Sequence, residues 1–150
     1  MNSYLLEQIE NAIAVVSNRY FKQIFVNDYM NGNSVKKIAD GHSLPYINVN
    51  IELSLLLRDV SITRRTHRIT ELFQQLINKF SEDVICLDYY ELLFTESLAI
   101  DPMILMKNNS QNKTLIISWR GKINEDVLIH AEPGHPEYKK YVMPDAIIIK

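Results

Sequence analysis

Residues 83–94 read Asp83-Val-Ile-Cys-Leu-Asp88-Tyr-Tyr-Glu91-Leu-Leu-Phe94, a compact apolar run that ends in a carboxylate. Successive apolar residues without polar alternation suit a strand buried on both faces. Immediately upstream, Ile69, Leu72, Phe73, Leu76, Ile77 and Phe80 recur at the spacing of one helix face. A helix feeding a doubly buried strand is the repeating unit of a parallel sheet. The same unit recurs on either side. Ile24 to Val26, Pro45 to Val49, Thr114 to Ser118 and Ala146 to Ile149 are further apolar runs, and Val127 to His130 is a shorter one. The pattern predicts an α/β fold, a three-layer sandwich around a mostly parallel five-stranded sheet.

Local signals place the helices. Leu5, Ile9, Ala12, Ile13 and Val16 form one apolar face, predicting an amphipathic helix over 3–19 with Ser3 as its cap, packed on the domain. Asn31-Gly32 breaks the chain before a short helix from Ser34 to Asp40, closed near Gly41. Asn50 is the expected cap of a helix that carries Ile51, Leu55, Leu56 and Val60. Asp101-Pro102 combines a capping carboxylate with proline at the first helical position, and that helix runs out in KNNSQNK.

With 150 residues, and no repeat or low-complexity linker, the chain reads as one domain over 1–150. Apolar residues at 47% and charged residues at 23% exclude a disordered or fibrous chain. A net charge of −2 gives no overall attraction to nucleic acid or anionic membrane. No apolar run approaches the ~20 residues of a membrane span. Cys86, the single cysteine, has no internal partner, which fits a cytoplasmic location.

Ligands of parallel sheets sit beyond the carboxyl ends of the strands. After the first strand, Asn27 to Ser34 overlies the phosphate-binding pattern G-x-x-x-x-G-K-[ST], with Gly32 and Ser34 in place. Asn27 stands for the first glycine and Asn33 for the lysine; taken alone, the segment is better explained as a plain strand-to-helix turn built on Asn-Gly. After the third strand, Asp88 occupies the place of a Walker B carboxylate that holds Mg²⁺, shared with Ser34, and Glu91 is placed to orient a water. After the fourth, Arg120 in Trp119-Arg120-Gly121 is placed to sense a terminal phosphate. The plain alternatives are a turn-capping Asp88, a solvated Glu91 and a surface arginine.

LDYYELLF, Asp101-Pro102, LIISWRG and above all EPGHPEY at Glu132 to Tyr138 together resemble the BrxF-like small P-loop proteins of type 3 BREX phage-defence systems. The likeness runs from about Pro45 to the C-terminus and, more loosely, over the phosphate-loop region. It implies a RecA- or AAA-type P-loop NTPase fold, ATP and Mg²⁺ as cofactors, and a place among other defence-system proteins. The departure is Asn33: losing a charged contact to phosphate costs roughly 1.5–3 kcal/mol. Lys36 is near enough on the following helix to reach back, because helical side chains lean toward the N-terminus.

Two functions compete on this reading. One is an ATPase that works only in an oligomer or with a partner, with Glu91 and Arg120 catalytic, Asn27, Gly32, Asn33, Ser34 and Lys36 at the nucleotide, and Asp88 and Ser34 at the metal. The other is a degenerate module that keeps the fold for assembly with partners, copies of itself or DNA. Asn33 favours the second. Arg64, Arg65 and Arg68, with His67, form the dense basic cluster a DNA contact would need; a solvated helix start is the plain alternative. His130, His135 and Glu137 lack the companions of a metal site, and the prolines and glycine around them explain a turn.

Overall fold

The computed structural model describes residues 3–29 and 32–150, so Asn31 of the expected chain break lies outside the described residues. In chain order the elements are α1 (Ser3–Val16), β1 (Gln23–Asn27), α2 (Ser34–His42), β2 (Tyr46–Asn48), α3 (Val49–Leu57) and α4 (Ile62–Asn78). Then follow β3 (Val84–Asp88), two 3-10 turns (Glu91–Phe94 and Glu96–Leu98), α5 (Pro102–Asn108) and β4 (Thr114–Trp119). The chain closes with β5 (Ile123–Asn124), β6 (Val127–His130), β7 (Lys139–Val142) and β8 (Ile147–Ile149).

Five strands form one sheet in the order β2-β3-β4-β1-β8, and every pairing in it is parallel. Alternation along each strand splits the core in two. Ile24, Val26, Cys86 and Ile116 face α1 and α2, whereas Phe25, Ile85, Leu87, Leu115 and Ile117 face α3, α4 and α5. Both faces are thus covered, which is why these strands read as continuous apolar runs. Burial pushes the Cys86 thiol up to about 12 and keeps it a packing group.

Several boundaries differ from the sequence reading for local reasons. The first helix stops at Val16, not 19; Ser17 Oγ bonds back to the Ala14 carbonyl at 2.7 Å and the chain turns. Ser3, the first described residue, already lies within the helix rather than capping it. Asn48, not Asn50, caps α3 by accepting from the Ile51 N–H at 3.2 Å. The buried stripe of α3 is therefore Val49, Leu53 and Leu57; of the expected stripe, Ile51, Leu55 and Leu56 face outward, 56, 53 and 40% exposed, and Val60 lies past the helix end, packed on the core. Asp101 caps α5 as read, accepting from Met103 and Ile104.

The sequence reading picks out the run Val127 to His130 but not the sheet it centres, an antiparallel β5-β6-β7. Its first hairpin turns through Glu125-Asp126, with Glu125 at φ 57° and no glycine to announce the turn. Gly121 lets this sheet close on the main one, since a Cβ there would lie 2.1 Å from the Ile129 carbonyl oxygen.

Candidate functional site

The carboxyl ends of β1, β3 and β4 and the start of α2 meet in one buried polar network. Its first centre is Asp28, just past β1 and 1% exposed. One carboxylate oxygen accepts the Ser34 N–H at 2.7 Å; the other accepts the Val35 N–H at 3.4 Å and the Ser118 hydroxyl at 2.7 Å. Asp28 therefore caps α2 from six residues upstream, and Asn33, at the cap position, makes no side-chain cap bond. Gly32 favours this closure: a Cβ there would crowd Asp28, 3.0 Å from its carboxylate oxygen and 3.1 Å from its Cα.

The second centre is Asp88, with no exposed surface at the end of β3. Arg120 grips it with two bonds of 2.9 Å, from Nε and Nη2 to the two carboxylate oxygens. The Tyr46 hydroxyl donates to one oxygen at 2.6 Å and the Tyr89 N–H to the other at 2.9 Å. Four donors take up the carboxylate's accepting capacity. Burial alone would raise the Asp88 pKa; the bonds from Arg120 and Tyr46 outweigh it and hold the carboxyl below the usual carboxylate range. Burial and the Asp88 charge in turn push the Tyr46 hydroxyl well above its ordinary value.

Arg120 joins the two centres. Its Nη1 donates to the Gly32 carbonyl at 3.0 Å, its Nη2 reaches the Asn33 side-chain oxygen at 3.3 Å, and its guanidinium lies 4.3 Å from the Tyr89 ring centroid. Tyr89 holds a left-handed backbone, φ 49°, anchored where its carbonyl accepts the Asn50 N–H at 2.7 Å.

The structure thus joins Gly32, Asn33, Ser34, Asp88 and Arg120 in one hydrogen-bonded network, which the side chains of the other expected residues do not enter, although Glu91 lines the adjoining cavity with Asp88 and Arg120. Lys36 does not reach back: it pairs with Asp40 at 3.3 Å and sits over the Tyr46 ring. The Asn27 side chain closes a local turn on the Tyr29 N–H at 3.0 Å. Glu91 lies in the first 3-10 turn, its carboxylate held by Asn50 at 2.6 Å. Arg64, Arg65 and Arg68 lie in the first half of α4, away from the network; Arg65 bonds the Val60 carbonyl and Arg68 pairs with Glu71. Sequence reading passed over Asp28, Tyr46, Asn50 and Ser118. The available signal for Asp28 was an acidic residue directly after a buried strand and shortly before a helix; Asn33, a good capping type at the cap position, masked it.

A nucleotide and its metal require amides open to phosphate and a carboxylate open to a cation. Here the α2 amides hold Asp28 and the β3 carboxylate holds Arg120, so the residues as arranged do not fit that cofactor pair. Among the described residues no group of three or more His, Cys, Asp or Glu side chains is placed to hold a metal, and no helix is long and apolar enough to cross a membrane. No protein-family model matches the chain, and neither the curated proteins nor the solved structures contain a significant match.

Proposed function

We propose that this chain is a P-loop-type module whose nucleotide site is closed by its own side chains, acting as a non-hydrolysing assembly subunit of a BREX-type phage-defence system. What supports the P-loop reading is the placement of parts: a strand-to-helix loop after β1, a carboxylate at the end of β3 and a cation after β4, all at the carboxyl ends of the three central strands of a parallel sheet. The EPGHPEY segment and its companions support the defence-system reading by resemblance. One observation carries the loss of catalysis. The Asp28 carboxylate stands where phosphate would meet α2, and the Arg120 guanidinium stands where a metal would meet Asp88.

Calorimetric titration with ATP and Mg²⁺ is expected to give no saturable heat for the native chain. Asn33→Lys is expected to bring no gain, because the added cation would meet a loop whose amides are already taken. Micromolar binding together with ATP turnover abolished by Asp88→Ala would overturn the reading.

The assembly role is supported by α3, whose outward residues Ile51, Leu55 and Leu56 are exposed although its inward stripe is fully packed. Leu55→Glu is expected to leave the melting temperature within about 2 °C of native, since the side chain is 53% exposed. It should weaken association of the chain with itself or with co-produced defence proteins at least tenfold by sedimentation or co-purification. Undiminished association would place the contact elsewhere.

A further inference from the structure

Beyond the closed network, on the far side of Arg120, lies a cavity of about 260 Å³ between the carboxyl ends of β3 and β4 and the small antiparallel sheet. Tyr29, Tyr89, Tyr90, Phe94 and Trp119 give it an aromatic wall, and Ala131, just past β6, lines it as well. These rings are held in place from behind. Trp119 donates through Nε1 to the Lys122 carbonyl at 3.2 Å and packs edge-on to Phe25 and Tyr141. The Tyr90 hydroxyl donates to the Ser118 carbonyl. Phe94 stacks on His130 with centroids 3.7 Å apart, and Glu137 of the EPGHPEY segment meets His130 at 3.4 Å. That segment therefore buttresses the cavity wall.

Of the charged groups lining it, Arg120 pairs with Asp88 and Lys122 with Glu132 at 4.0 Å, while the Glu91 carboxylate, held by the Asn50 amide, repels an anion. A charged ligand would compete with these pairs, whereas a neutral ring needs only the aromatic walls. The volume lies below the ~300–1,000 Å³ of pockets for larger organic ligands. Two wall residues, Tyr89 at φ 49° and Ala131 at φ 65°, hold left-handed backbones that non-glycine residues adopt at a cost. We infer that this cavity is a binding site for an uncharged planar aromatic group of one or two rings, held among Tyr89, Phe94 and Trp119. Nucleobases and the aromatic side chain of a protein partner share this chemistry.

Trp119 is the single tryptophan, so its selectively excited emission reports directly on the cavity. Titration with adenosine, and separately with N-acetyl-tyrosinamide, is expected to change that emission saturably, with half-saturation at roughly millimolar concentration or below. The tighter of the two names the source, nucleobase or partner side chain. Tyr89→Asn, which suits the left-handed backbone, is expected to weaken binding roughly three- to tenfold. Tyr29→Ala provides the same readout should Tyr89→Asn melt below the native chain. No saturable response to either compound, or responses unaltered in both variants, would overturn the inference. Neither probe carries phosphate, so its failure is distinct from any failure of the closed-loop reading.

Discussion

Arg120→Ala should destabilise the fold by about 3–5 kcal/mol near neutral pH, the usual cost of stranding one partner of a buried ion pair. Asp88 has no exposed surface, and the guanidinium supplies two of its four hydrogen bonds. The pH dependence should invert as well. In the native chain the Asp88 pKa is lowered, so its contribution is complete above the unfolded value near 4 and is lost as pH falls through the folded one. Without Arg120, burial dominates and the folded pKa rises above the unfolded value. The variant is then weakest at neutral pH and regains stability as pH falls from that raised pKa toward about 4. Urea unfolding at about pH 7 and about pH 5 measures both effects. Adding Asp88→Asn to the variant should recover part of the loss. Equal losses at the two pH values, with no recovery, would show that the pair does not carry this energy.

Asp28→Ala should cost about 2–4 kcal/mol. A helix cap contributes about 0.5–2 kcal/mol, and a buried hydroxyl left without its partner about 1–3. Here Ser34 and Val35 lose their acceptor and Ser118 loses the bond that ties β4 to β1. The same change uncovers the α2 amides to anions. Inorganic phosphate or sulfate should therefore raise the melting temperature of the variant more than that of the native chain. Asp28→Asn, which retains one accepting oxygen, should fall between the two. A variant as stable as the native chain, or one gaining no more from sulfate, would remove the carboxylate from its role as a tethered anion.

Both predictions concern groups that the chain sequence presents in different ways. Asp88 and Arg120 stood out as a carboxylate and a cation at strand ends, but their pairing with each other did not. Asp28 drew no attention, because a single acidic residue after a strand is ordinary loop composition. The face of α3 was ambiguous for another reason: VNIELSLLL is apolar on two sides, so periodicity offers both Val49-Leu53-Leu57 and Ile51-Leu55-Leu56. Only packing against β2 and α4 selects the first. The β5-β6 hairpin escaped notice because its paired segments are short and its turn is built from Glu125-Asp126 rather than from an Asn-Gly signal.

What the amino-acid order determined unaided is what depends on neighbours along the chain. It set the apolar strands, the helix periodicity of α4, the Asp101-Pro102 start of α5 and, from these, an α/β chain with a mostly parallel sheet. What tertiary structure alone decided is what depends on neighbours across it. The order β2-β3-β4-β1-β8 brings Ser118 to Asp28 across 90 residues and Arg120 to Asp88 across 32. Local rules contain no term for such separations. A buried charge must find its partner wherever the sheet delivers one, and here the partners are the protein's own.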